Sequence, residues 1–297
     1  SAFDLDLIDR EMAVTRIRGT LEQLSQLPTW KHFFYNYYST TNLQITNQYI
    51  SSVDNGWLAV ALVIVRQAFP ELAKPANALL GPMDFEEFYD PANGQIRLGF
   101  EIEKGKMAPY HYGLLATEAR IISVIAIGKG DVPEEHWFKI YRTLPKEWTW
   151  QRQIPEGEYK SYFGQDVFQG YYRYPDGQRR LPFVPSWGGS LFEFLMPTLV
   201  VDERRIAAKG LGLNDQHAVD LHIQYALKEH GLPVWGLSPC ATPKERHGGY
   251  SEYGVAALGA KGYKDEAIVT PHVSMLSLGF APEAAIKNVR ELIRRYP

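Results

Sequence analysis

The sequence predicts a mainly α-helical chain into which short β-hairpins are inserted. Three observations carry this reading. Residues 8–27 set Ile8, Met12, Ile17, Leu21 and Leu24 at helical spacing with charges between them, and Pro28 stops the run. The stretch EFYDPANGQIRLGFEIEKG places Asn93-Gly94 between two alternating runs, a strong hairpin-turn signal. The chain closes with two further helical patterns, over 271–278 and 282–296.

Between these, residues 32–52 are aromatic and β-branched and read as one extended hairpin. A helix over 54–69 ends at Pro70, and another over 112–127 is closed by Gly128 and Gly130. A short helix in PEEHWFKIYR leads into an irregular, tyrosine-rich stretch up to Pro185. Then come the helix containing Glu193 and a helix whose ends are marked by Asn214 and Gly231. No fixed-period repeat, low-complexity tract or linker interrupts the 297 residues, so one domain over 1–297 is expected.

Composition narrows the function classes. Hydrophobic residues make up 45% and charged residues 22%, ordinary values for a folded chain. The longest apolar run, 57–65, ends at Arg66 and is too short to span a bilayer. A net charge of -3 with dispersed Lys and Arg lacks the basic stripe of a nucleic-acid binder. The single Cys240 precludes an internal disulfide and is compatible with cytosol or periplasm. The first ten residues carry no signal-peptide pattern; a periplasmic or extracellular location is the expectation favoured. Seven Trp, 18 Tyr and 14 Phe suit cores, interfaces and clefts for amphipathic ligands such as sugars.

Four polar islands sit in apolar or aromatic surroundings: Asp54, Glu118, Glu193, and Glu252 with His247. Glu193 lies in PSWGGSLFEFLMPTLV, with Leu191, Phe192, Phe194, Leu195 and Met196 on nearly all sides. A buried charge costs several kcal/mol unless paired, so Glu193 either faces a cleft or serves Ser190 as the N3 partner of a capping box, and the two roles are compatible. Asp54 reads as an N-cap or a cleft residue, and Glu118 as a cleft residue or a neighbour of Arg120 on a solvated face.

Two carboxyl groups at a cleft are what glycoside cleavage needs, one to protonate the leaving oxygen and one to act as nucleophile or to activate water. Glu118 and Glu193 are the expected pair. On local sequence Glu193, with apolar neighbours, is the expected acid, and Glu118, near Arg120, the base or nucleophile. No GxSxG, GxxxxGK[ST] or HExxH motif is present, and His217 and His222, five apart on a helix, make a poor metal pair.

Six blocks in order, HFFYNYYSTTNLQ, QYISSVDNGWLA, MDFEEFYDPANGQIRLGFEIEKGKM, YHYGLLATEARIISVIAIGKGDVPEEHWF, SWGGSLFEFLMP and YGVAALGAKGY with IVTPHVSMLSLGF, resemble the bacterial glucoamylase-like domain. That domain occurs at the centre of cyclic β-1,2-glucan synthases and is related to endo-β-1,2-glucanases. The resemblance runs from about residue 11 to the end. It implies an (α/α)6 barrel, a helical toroid with a substrate cleft at one end. It also implies that Glu118 of TEAR and Glu193 of LFEFLMP occupy the positions expected to carry the catalytic carboxylates, and that Asp54 of SSVDNG matches a cleft residue. Two positions depart from the synthase pattern: Ser39 follows YNYY where an Asp is expected, and Pro239 in WGLSPC replaces a Glu of WGISES. Eight to ten helices are recognisable where a closed toroid needs twelve, which predicts a fragment lacking N-terminal helices or an abbreviated barrel.

The resulting expectation is an enzyme that hydrolyses or transglycosylates a β-linked glucan, with Trp57, Tyr112, Trp187, Trp235 and Tyr250 stacking on sugar rings. Arg120, Glu252 and His272 would contact hydroxyls or tune the carboxylates, without metal or organic cofactor. The alternatives are a catalytically silent glucan-binding or scaffolding domain of the same fold, and a lyase or hydrolase for another polysaccharide.

Overall fold

The computed structural model describes residues 2–176, 179–241, 249–266 and 268–296, and the chain forms two compact units. The first comprises Ser1–Tyr112 and Ile121–Trp137. Helix α1, Arg10–Leu24, starts at Asp9, whose carboxylate accepts from the Met12 N–H at 2.7 Å. Helix α2, Ser52–Ala68, begins two residues before the expected start, because Ser51 caps it by accepting from the Asp54 N–H at 3.3 Å. Asp54 is therefore an exposed first-turn anion, not the cap. Helix α3 is Ala73–Leu80, α4 Arg120–Lys129 and α5 His136–Lys139. A Cβ on Gly56 of α2 would stand 3.0 Å from the Cβ of Ile122 of α4, so glycine permits the close approach of these helices. Phe33, Phe85, Phe88, Ile50, Leu72 and Ile122 fill this unit's core, each contributing about 1.5–3 kcal/mol by leaving water.

The Asn93-Gly94 turn forms as expected: Tyr89 pairs with Ile96 and Asp90 with Gln95, and Gly94 adopts φ 68°. The single hairpin expected over 32–52 does not form. Tyr37–Tyr38 pairs with Ile45–Asn47, whereas Tyr49–Ser51 pairs with the distant Gly99–Glu101, where a Cβ on Gly99 would collide with the Ile50 carbonyl.

The second unit comprises Gly113–Arg120 and Phe138–Pro297. Residues 113–119 are not helical as expected. Their backbone is drawn into a bridge, with the Leu115 N–H donating to the Tyr141 carbonyl at 2.9 Å and the Tyr141 N–H to Gly113 at 2.8 Å. The stretch read as irregular contains a three-stranded antiparallel sheet of Glu156–Tyr162, Gln165–Asp176 and Arg179–Phe183. Helices α6 (Leu191–Leu195), α7 (Glu203–Ile206), α8 (Leu211–Ile223), α9 (His272–Leu276) and α10 (Pro282–Arg295) complete the unit. Asn214 lies within α8 and does not cap it; its side-chain amide clamps the Val184 backbone at 2.8 and 3.0 Å. Leu191, Phe194 and Leu195 of α6 pack with Val219, Leu221, Trp235 and Val273 in the core. Among the described residues, no helix is long and apolar enough to cross a membrane.

Candidate active site

The site grows from the loop that enters α6. Ser190 caps the helix and Glu193 returns the contact, the capping box that S-x-x-E encodes. The Glu193 carboxylate then goes further than a box requires. It accepts from the backbone N–H of Trp187 (2.9 Å), Gly188 (3.0 Å) and Ser190 (3.0 Å), and from the hydroxyls of Ser190 (2.8 Å) and Ser186 (3.1 Å). Burial pushes the Glu193 carboxyl upward, while the donors from Ser190, Gly188 and Ser186 pull against that rise. Glu193 is only 3% exposed and both of its oxygens accept from donors of its own loop, so the capping role that the sequence offered beside the cleft role is formed here.

The same loop is laced to residues 254–263. The Val255 N–H donates to the Gly189 carbonyl (2.9 Å), the Tyr263 N–H to Gly188 (2.9 Å) and the Ala260 N–H to Ser186 (2.8 Å). Glycines make the crossing possible: a Cβ on Gly188 would stand 2.0 Å from the Tyr263 ring, and one on Gly259 2.6 Å from the Gly188 carbonyl carbon. His222, buried and held neutral with its ring pushed down to about 3 by burial, donates from Nε2 to the Gly189 carbonyl at 3.0 Å and accepts the Leu237 N–H on Nδ1. It is a backbone clamp, and His217 separately reaches the Pro182 carbonyl at 3.1 Å. Among the described residues, no group of three His, Cys, Asp or Glu side chains could hold a metal ion.

Arg120, expected to contact substrate, is instead buried and fully committed. Its guanidinium forms a bidentate pair with Glu203 (2.8 and 2.7 Å) and donates to the carbonyls of Thr117 (3.0 Å), Glu193 (3.1 Å) and Phe194 (2.6 Å), which uses all five N–H donors. Asp215 lies 3.6 Å away, fully buried. Arg120 thus ties the turn before Glu118 to the helix that carries Glu193.

Glu118 sits in that turn, half-buried, two residues before α4. Tyr263 is seated on Gly188; burial raises its hydroxyl, and the charges of Glu193, Glu118 and Glu252 raise it further. Glu252 is exposed beside the strand Tyr250–Ser251, and Tyr250 is exposed as well. His247 lies outside the described residues.

The other expected contacts divide. Trp187 is half-buried, its backbone on Glu193 and its ring against Leu114, Leu144 and Ala260. Trp235 is 2% exposed, and Asn288 satisfies its backbone at 3.0 and 2.9 Å, so it is a core residue and not a sugar platform. His272 opens α9, shares a 3.3 Å contact with the Ser238 hydroxyl and lines an apolar groove of about 620 Å³ with Leu232, Met275 and Leu292. Asp54, Trp57 and Tyr112 belong to the first unit; the Trp57 indole N–H is buried without an acceptor among the described residues. Tyr263, Glu203 and Asp215 carry no local motif and give no sequence signal, whereas His222, a poor metal partner for His217, packs buried within its helix.

Comparison with known proteins places this geometry in context. Residues 110–297 match the profile of the family described as "Putative glucoamylase". The chain is 30% identical over 236 residues to the cyclic β-(1,2)-glucan synthase NdvB of Rhizobium meliloti, an alignment covering 78% of this chain and 7% of that protein. It superposes on the β-1,2-glucanase of Parabacteroides distasonis with a TM-score of 0.70 at 15% identity, covering 99% of this chain and 44% of that one. It superposes on the endo-β-1,2-glucanase of Chitinophaga pinensis, solved with sophorotriose and glucose, with a TM-score of 0.65 at 13% identity, covering 99% and 69%. At such identities the structural likeness concerns the fold.

Proposed function

Because the chain belongs to the glucoamylase-like family, whose profile it matches over 110–297, we propose that it acts on a β-linked glucan, β-1,2-glucan foremost, as a glycoside hydrolase or transglycosylase. The relatives named above support the substrate class, and the (α/α)6 toroid is the proposed architecture. The observation that carries the reading is that Arg120 holds the turn of Glu118 against the helix of Glu193, whose entry loop packs its Gly188 against the Tyr263 ring.

In this reading Glu118 is the carboxyl that meets the glycosidic oxygen, and Glu252, exposed beside the strand Tyr250–Ser251, is its partner. Glu193 positions rather than reacts: it fixes the Trp187–Ser190 backbone on which Tyr263 rests. Such a frame keeps the reacting groups in place without reorganisation during the reaction. Incubation with a panel of β-glucans that includes β-1,2-glucan tests the proposal. New reducing ends or altered chain lengths are expected, and unchanged chains with every glucan would overturn it. Pro239, standing where the synthase pattern has Glu, favours a second reading, a glucan-binding domain without catalysis. Retention on glucan without any cleavage would select that reading.

A further inference from the structure

The second unit carries a row of aromatic rings that are partly exposed and that end on Trp187, which packs on Leu114, Leu144 and Ala260. Tyr141, Trp148 and Trp150 are 38%, 43% and 55% exposed. Tyr141 meets Trp148 edge-on at 6.3 Å, Trp148 stacks on Trp150 at 6.1 Å, and Trp150 meets Trp187 edge-on at 5.9 Å. The row therefore ends on the residue whose backbone N–H rests on Glu193.

The backbone beneath it is pinned. Gln151, buried and next in sequence to Trp150, donates to the Pro145 carbonyl at 2.7 Å and accepts from the Tyr172 hydroxyl. The Arg152 N–H donates to Ala260 at 2.9 Å, and its side chain to the Lys261 carbonyl at 2.9 Å. Two indoles are thus held out toward water on ordered backbone, so their ordering cost is met before any ligand arrives. Aromatic rings of this size normally bury about 150–250 Å² each, and leaving two exposed side by side forgoes that gain.

We propose that Tyr141, Trp148, Trp150 and Trp187 form an extended stacking rail for a β-glucan chain, which reaches the Glu193-held loop at Trp187. The proposal rests on the glucan-acting reading above. A pyranose offers an apolar C–H face to an indole and keeps its hydroxyls in water, which suits half-exposed rings set side by side. The neighbouring Lys261 ammonium, 5.9 Å from the Trp187 ring, stands ready for hydroxyl contact. Continuity with the carboxylate-held loop argues for a sugar chain over a protein surface. The rail predicts that substrate length governs affinity.

The test compares the wild type with Trp148→Ala/Trp150→Ala and with the corresponding double Phe variant, using β-1,2-glucan oligosaccharides of increasing length. Melting and far-ultraviolet circular dichroism confirm that each variant folds. The Ala variant is expected to lose tenfold or more in KM and in binding to long chains, to retain kcat on the shortest cleaved substrate, and to be partly rescued by Phe. Cleavage with identical KM at every length overturns the rail while leaving the function intact. Binding without cleavage by the wild type, abolished in the Ala variant, supports the rail and overturns the hydrolytic reading. A wild type that neither binds nor cleaves any β-glucan overturns both. A change in oligomeric mass in the Ala variant assigns the row to contact between copies and overturns the rail.

Discussion

The Arg120 guanidinium donates to the backbone carbonyl of Glu193 at 3.1 Å, although 73 positions separate the two residues in sequence. Through this bond and its contact with Thr117, one buried cation sets the turn carrying Glu118 against the short helix that organises the Trp187–Ser190 loop. The carboxylate that neutralises it, Glu203, comes from a third segment, so the frame of the site is an ion pair in the protein interior.

Breaking one side of that pair leaves an uncompensated buried charge. Arg120→Met leaves the Glu203 carboxylate without its cation, and Glu203→Gln leaves the guanidinium without its anion. Each is expected to cost about 3–5 kcal/mol, measured as a lower urea midpoint at constant m-value. A loss below about 1 kcal/mol would refute the framing role.

Glu193→Gln and Glu118→Gln separate frame from chemistry. In Glu193→Gln the introduced amide would set its own N–H groups against backbone donors, so this variant should lose about 3 kcal/mol or more of stability. Glu118→Gln keeps the shape of a half-buried side chain, so it should lower the melting temperature less than Glu193→Gln does, while its rate on unactivated glucan should fall about 10²–10⁴-fold, as for a general acid. A substrate with a good leaving group should restore much of that rate. Restoration in Glu193→Gln, but not in Glu118→Gln, would reverse the assignment.

Local signals were legible in the sequence and distant pairings were not. The Asn93-Gly94 turn and the Ser190–Glu193 capping box are written in neighbouring residues, and both form. The strand Glu156–Tyr162 escaped because all seven of its residues are exposed, which erases the alternation that marks a half-buried strand. Residues 113–119 carry helical spacing, but their backbone is drawn to Tyr141, and that places Glu118 in a turn. Apolar neighbours around Glu193 suggest a cleft and the indole of Trp235 a sugar platform, whereas both residues are buried: Glu193 accepts from backbone and serine donors of its loop, and the Asn288 side chain holds the Trp235 backbone. Residue type cannot distinguish a cleft floor from a core. The pair Arg120–Glu203 joins positions 83 apart and leaves no trace in either local pattern.

Gly188→Ala tests whether the Tyr263 ring must rest on the loop. The added methyl would fall 2.0 Å from that ring, so the ring or the loop must shift. A cost of about 1–3 kcal/mol is expected, with a fall in kcat larger than the change in KM. Full activity in Gly188→Ala would show that the Tyr263 position is irrelevant to turnover.

The Arg120 cluster also predicts how stability depends on pH. Two buried acids, Glu203 and Asp215, share one buried cation, and the Asp215 oxygens find no hydrogen-bond partner of good geometry among the described residues. Burial pushes the Asp215 carboxyl up to about 9; Arg120 pulls against this and Glu203 adds to it. Asp215 is therefore a neutral acid in the native protein at pH 7, which leaves the cation with one full anion. In the unfolded chain the same group ionises near its ordinary value of 3.8. Between about pH 4 and pH 9 the native state binds one proton more than the unfolded state at this position, so its contribution to stability is complete below that window and is lost as pH rises through it. Asp215→Asn keeps the shape and removes the proton, so its melting temperature minus that of the wild type should climb steadily from about pH 5 to about pH 9. Histidines and surface carboxylates act on both proteins alike and cancel in that difference. A flat difference curve would mean that Asp215 is ionised in the folded protein and that Arg120 is balanced by two anions instead of one.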